Sequence, residues 1–311
     1  MHKNLSLLLL FLWPLFSCEI RAQATIQEQL GYPKETKLLI IHADDFGVSQ
    51  SENAATIAAM EQGMVNSSSI MVPCPWFPAA AAYAKKHPEM DWGIHLTLTS
   101  EWIHYKWGPV ANRNEVRSLL DDSDYFYPTQ AEVRDNADLK EVELELRAQI
   151  DRALQFGVPV THLDIHMFTL WTHPELVRIY KKLGREYQLP ILLNRLWLDR
   201  MGAGAAASLE QGDVVVDHLH MALSSDHPGG LEGYYAETIS KLESGLNVLL
   251  IHTAYDNAEM QAVAIERDDF GSAWRQVDFD FFTSQTCRDL LDSNNIQLVT
   301  WKEIRDKLGR K

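Results

Sequence analysis

The chain has 311 residues, of which 46% are hydrophobic and 23% charged, a globular composition with ample length for a core. Its 43 acidic and 28 basic residues give a formal net charge of −15, which repels phosphate backbones and argues against nucleic acid as a partner while leaving a neutral sugar compatible. The three cysteines lack zinc-type spacing, so any metal must be held by histidine and carboxylate.

The first residues read as a processing segment. His2 and Lys3 precede an apolar run from Leu5 to Phe16, and Ala22-Gln23-Ala24 forms a small-x-small cleavage site. Residues 1–24 are therefore set apart as a signal peptide, with lipoprotein processing at Cys18 as the alternative. The run is short for a membrane span and no later segment is long and apolar enough to be one. The expected mature protein is exported, periplasmic or secreted, and lipid-anchored if Cys18 is modified. Residues 30–311 are expected to form one catalytic domain. Cys74 and Cys287 could pair there, although cysteines so far apart in sequence more often stay free.

Apolar, β-rich runs then alternate with helical patterns. Strands are expected at Lys37–Asp44, Asn66–Val72 and Trp92–Leu98, with helices at Glu52–Gln62 and around Phe77–Lys86. A polar stretch from Thr99 to Pro128 leads into a long charged helix over Ala131–Phe156. Further strands are expected at Thr161–Met167, Ile191–Asn194, Val214–His220, Leu246–Thr253 and Ile296–Trp301. Helices are expected over Pro174–Tyr187, Leu231–Ser244 and Phe281–Ser293. This alternation implies an α/β fold with a parallel sheet, and about eight strands suggest a distorted TIM-like (β/α) barrel. An open doubly wound sheet would give a similar pattern.

Ionisable residues gather at strand ends, where parallel β/α folds bind ligands. Asp44 and Asp45 close the first strand, His95 lies in the third, and His252 is near the end of a late one. Two adjacent acids need different environments if both are to ionise. In Thr161-His162-Leu-Asp164-Ile-His166 the polar residues are spaced by two, so they share one side of a strand. Parity does not say which histidine would bind metal and which would brace it.

Taken together, His42-Ala-Asp44-Asp45-Phe46-Gly47, Asn66-Ser-Ser-Ser-Ile-Met71-Val, Gly93-Ile-His95-Leu-Thr-Leu and Thr161-His162-Leu-Asp164-Ile-His166 resemble the YdjC family of carbohydrate deacetylases, which includes the chitooligosaccharide deacetylases. The resemblance runs from about residue 37 to 167 and more loosely through Leu249-Leu-Ile-His252 to the end. It implies one divalent metal held by Asp45, His95 and His166, with Asp44 as catalytic base and His252 as acid. His162 and Asp164 then become bracing candidates, and Arg195 could orient Asp44 or the substrate, or form a surface ion pair. Two histidines and a carboxylate suit Zn²⁺, with Mg²⁺, Fe²⁺ or Mn²⁺ as alternatives.

The implied activity is hydrolysis of the acetamide C–N bond of an N-acetylated sugar or oligosaccharide. Rival readings are a metal-dependent barrel isomerase or other hydrolase, and an exported carbohydrate-binding protein. A homodimer is left open. This chain also departs from the family pattern: His42 stands where Asn is usual, Met167-Phe-Thr-Leu-Trp171 replaces a histidine-rich continuation, and His252 is followed by Thr253 rather than Pro.

Overall fold

The structure is a computed structural model and describes residues 24–200, 209–210, 213–223 and 230–309. The expected leader and Cys18 lie outside the described residues, Ala24 apart. No helix among the described residues is long and apolar enough to cross a membrane.

Strand β1 (Lys37–Phe46) is the centre of the sheet. Leu38, Leu39, Ile40 and Ile41 are fully buried, as a parallel strand covered on both faces requires. Their side chains alternate between two cores: Leu38 and Ile40 join one cluster, Leu39, Ile41 and Ala43 the other. The second cluster is covered by the helices Gln50–Gln62, Ser272–Thr283 and Gln285–Ser293, through residues such as Ala59, Phe282 and Cys287.

On one side β1 pairs with β2 (Ser67–Ile70), which leads to β3 (Trp92–Leu96) and β4 (Val160–Ile165). On the other it pairs with β8 (Gly245–Ile251), which leads to β7 (His218–Met221). All these pairings are parallel. A short strand, β9 (Ile296–Leu298), pairs with the start of β1, while β5 (Leu193–Asn194) and β6 (Val215–Val216) pair with each other.

Thin links run between the two ends of this path. Leu163 of β4 bridges Ile191 just before β5, and only Asp217 separates β6 from β7. The α/β character and the parallel sheet with helical crossovers expected from the sequence are present.

Several boundaries differ for local reasons. The long charged helix is two, Gln130–Asn136 and Leu139–Phe156, because Asp138 accepts hydrogen bonds from the Lys140 and Glu141 amides as a new N-cap. Ser284 similarly caps Gln285–Ser293, so the helix expected from Phe281 begins later and an unforeseen one, Ser272–Thr283, precedes it. Strand β4 ends at Ile165 rather than Met167, since Met167 and Phe168 adopt left-handed φ values of 49° and 52°. Cys74 and Cys287 are free, buried, and in different core clusters.

Candidate metal centre

Adjacent strand residues normally face opposite sides of a sheet, yet Asp44 and Asp45 both line one pocket. The cause is Asp45 itself, whose φ of 62° is left-handed and interrupts the pairing with β2 between Ala43 and Phe46. A non-glycine residue held there is strained, and such strain persists where surrounding contacts over-determine it. The next turn needs glycine: Gly47 has φ 107° and a Cβ there would lie 3.2 Å from the Met71 carbonyl.

Asp45, His95 and His166 each bring one donor atom within 4.8 Å of the others. Asp45 Oδ1 lies 3.6 Å from His95 Nε2 and 3.3 Å from His166 Nδ1, and the two ring nitrogens are 3.2 Å apart. All three residues are buried, and Asp45 Oδ1 has no hydrogen-bond partner. An orphaned buried carboxylate oxygen facing two imidazoles is a donor set that fits a divalent cation. Asp44 joins the group from the side, with Oδ2 3.8 Å from His95 Nε2 and Oδ1 3.1 Å from His252 Nε2.

Each histidine is braced from behind by a carboxylate. His95 Nδ1 lies 2.9 Å from Asp164 Oδ1, and His166 Nε2 lies 3.0 Å from Glu101 Oε2. Such outer contacts fix ring orientation and raise ligand basicity. Asp164 is anchored in turn by His42 Nε2 at 2.9 Å and by the Ser69 hydroxyl at 2.8 Å. His42 thus takes part in a buried network with Ser67, Ser69 and Asp164 rather than lining the pocket. Glu101 comes from the irregular stretch after β3. That stretch is tied down by buried Glu145 and Gln149 of Leu139–Phe156: Glu145 accepts from the Val110 and Ala111 amides, and Gln149 pairs with the Thr97 backbone.

The electrostatics favour a positive charge at this point. Burial opposes charge on His166, but the Glu101 and Asp45 carboxylates outweigh it and raise its pKa to about 10. Burial likewise pushes Asp45 up, yet Arg275 and His166 hold it well below the usual carboxylate range. Asp44 goes the other way, raised by burial and by the neighbouring charges of Asp45 and Asp164. His252 is lowered to about 3 by burial and the Arg275 guanidinium. The two adjacent acids therefore occupy opposite environments, as the sequence requires of them.

Arg275 also lines the site, and the sequence reading did not find it. Its Nη2 donates to Asp45 Oδ2 at 2.9 Å and Nη1 to Glu52, both buried, and Nε donates to the Phe270 carbonyl at 2.7 Å. Of the two readings open for Arg195, the structure has the surface ion pair: its side chain is 58% exposed and pairs with Asp217 at 3.2 Å. His162 also sits apart from the pocket. Its ring stacks on Trp301, with centroids 5.4 Å apart, and its Nδ1 faces Thr161 and Asp91. Gly93 makes room for it, since a Cβ there would fall 2.3 Å from His162 Nε2. Past the end of β8, His252 is placed by Asp278, which accepts from its backbone amide at 2.9 Å.

The pocket around these groups has a volume of about 230 Å³. Trp102, Phe168 and Phe270 contribute aromatic walls, and Gln130, Arg267 and Asp269 polar ones.

A family model described as YdjC-like protein matches residues 38–293. Carbohydrate deacetylases from Thermoanaerobacter pseudethanolicus and Thermus thermophilus are 24% and 29% identical over 269 and 277 residues, covering 86% and 88% of this chain and 100% and 95% of theirs. A crystal structure from Enterococcus faecalis, provisionally called a cellobiose-phosphate cleavage protein, shares the fold with a TM-score of 0.74 at 23% identity, over 86% of this chain and 99% of that one.

Proposed function

Since the chain belongs to the YdjC-like family, we propose that it is a metal-dependent hydrolase that removes acetyl groups from N-acetylated sugars on a distorted, TIM-like β/α barrel. The observation that carries this reading is the convergence of Asp45 Oδ1, His95 Nε2 and His166 Nδ1, with both imidazoles braced by carboxylates and a second acid beside them. The full-length deacetylase relatives support the substrate class.

Asp45, His95 and His166 would hold one divalent ion, Zn²⁺ or Mg²⁺, with Asp164 and Glu101 fixing the two rings. Held there, such an ion would supply Lewis-acid chemistry, polarisation of the acetyl carbonyl and acidification of a water. Asp44, with its raised proton affinity, is suited to take that water's proton as attack begins. His252 is 3.1 Å away and enters as neutral imidazole. It therefore receives the proton during the reaction and delivers it to the departing sugar amine, acting as acid without being charged at rest. Asp278 and Arg275 keep these groups in place, the first through the His252 backbone and the second through Asp45.

The test is acetate release from N-acetylglucosamine and its β-linked oligomers by purified protein, before and after chelation. Activity lost to chelator and restored by Zn²⁺ or Mg²⁺ supports the reading. Absence of acetate from every N-acetylated sugar tried, with metal bound, refutes it. The apolar Leu5–Phe16 run further supports export, which intact-mass measurement on native material tests. Retention of Met1 would contradict it.

A further inference from the structure

The wall formed just after His166 is unusual in its construction. Met167 and Phe168 are consecutive non-glycine residues with left-handed backbone, a conformation that side-chain-bearing residues adopt rarely and seldom in pairs. The turn is held from several directions. Gln130 Nε2 donates to the Met167 carbonyl, Thr169 Oγ1 donates to the His166 carbonyl at 3.0 Å, and Thr99 Oγ1 lies 3.4 Å from Met167 Sδ. Its outcome is that Phe168 lines the pocket only two residues beyond His166. Two virtual Cα bonds span at most ~7.6 Å, so Phe168 and His166 enter the same pocket from closely spaced backbone positions.

Phe168 does not stand alone. Its ring is stacked on buried Trp171, with centroids 5.0 Å apart and planes 8° from parallel. Trp171 packs against Trp197 at 5.3 Å, and Trp197 reaches Phe168 at 6.4 Å. Three rings thus fix the orientation of one partly exposed aromatic face. Hydrogen-bonding groups flank the same pocket in Gln130, Arg267 and Asp269. A flat apolar surface bordered by planar polar side chains matches a pyranose, which has C–H-rich faces and a polar rim.

We propose that Phe168, backed by Trp171 and Trp197, is the stacking platform for the sugar ring adjoining the one whose acetyl group is removed. Phe168 then sets the preference for linked over single sugars. This inference rests on the deacetylase reading for the position of the reacting ring, but the platform itself is tested by binding. Titration of metal-loaded protein with the β-linked dimer of N-acetylglucosamine and with the monosaccharide, followed by tryptophan fluorescence and calorimetry, gives the ratio of the two affinities.

The dimer should bind about tenfold more tightly than the monosaccharide, as one well-placed ring contact provides. Phe168→Ala should abolish most of that ratio, Phe168→Tyr should retain it, and Trp197→Ala should reduce it by loosening the backing. Metal content measured on each variant separates loss of the platform from disturbance of His166. Equal affinity of the two sugars for the unmodified protein, or an unchanged ratio in a metal-loaded Phe168→Ala variant, overturns the platform. Dimer preference that depends on Phe168, without acetate release, would retain the platform and refute the deacetylase reading instead.

Discussion

Asp44 and Asp45 are sequence neighbours in a strand, yet their carboxylates enter one pocket and divide it between them. Asp45 Oδ1 faces His95 and His166, and Asp44 Oδ1 faces His252 at 3.1 Å. This division predicts separable mutants. Asp45→Ala, His95→Ala and His166→Ala should each lose bound Zn²⁺ on dialysis, because each removes one of three protein donors. His162→Ala should keep the ion and lose about 2 kcal/mol of stability, since its ring packs on Trp301 outside the pocket. Metal analysis and urea unfolding of the four proteins check this, and an ion lost only from His162→Ala would refute the ligand set.

Glu101 has the same relation to His166 that Asp164 has to His95, although it comes from an irregular segment rather than a strand. Glu101→Gln should weaken metal affinity by about 10–100-fold. Competition with a chelator of known affinity measures this; unchanged affinity would leave Glu101 with no bracing role.

The Arg275 guanidinium is the buried counter-charge shared by Asp45 and Glu52. Removing one member of a buried ion pair leaves an uncompensated charge, typically at about 3–5 kcal/mol. Arg275→Met should therefore lower unfolding stability by that order. Glu52, already raised to about 8 by burial, would become neutral more readily. A loss below about 1 kcal/mol would show the pair to be dispensable.

The positions of the chemistry were partly legible in the sequence, and the gaps have physical causes. Strand β1 announces itself because a parallel strand buried on both faces must be continuously apolar, and Leu38–Ile41 are. Its terminal carboxylates were visible for the same reason. Asp164 and His95 could be placed by strand parity, but the end of β4 could not, since the left-handed turn at Met167 and Phe168 has no glycine to signal it. Arg275 was hidden inside a helix whose buried face mixes Trp274, Phe281 and Phe282 with Arg275 and Asp278. Those two charges interrupt the apolar stripe at positions that point inward. A helical stripe bearing charges was the available signal, and it was masked by the expectation of a helix starting only at Phe281.

Glu145 provides a test of how the loop carrying Glu101 is anchored. Burial raises its pKa from 4.5 to about 7, partly offset by the backbone amides it accepts from. Between those values the folded protein holds a proton that the unfolded chain has released. The resulting stability is present in full below pH 4.5 and is lost as pH rises through about 7. Glu145→Gln removes this dependence, so its unfolding free energy should fall less steeply than that of the unmodified protein, by up to about 1.4 kcal/mol per pH unit. Parallel slopes from urea unfolding between those limits would contradict the shifted pKa.

The most direct test of metal-assisted deacetylation with Asp44 as base is the Asp44→Asn variant, measured for bound metal and for acetate release from the β-linked dimer of N-acetylglucosamine. The amide preserves shape but does not accept the water's proton. The expected result is full metal content with a rate lower by about 10²–10⁴-fold, the usual contribution of a positioned general base. Full activity in Asp44→Asn would contradict the assignment, and loss of the ion would place Asp44 among the ligands instead.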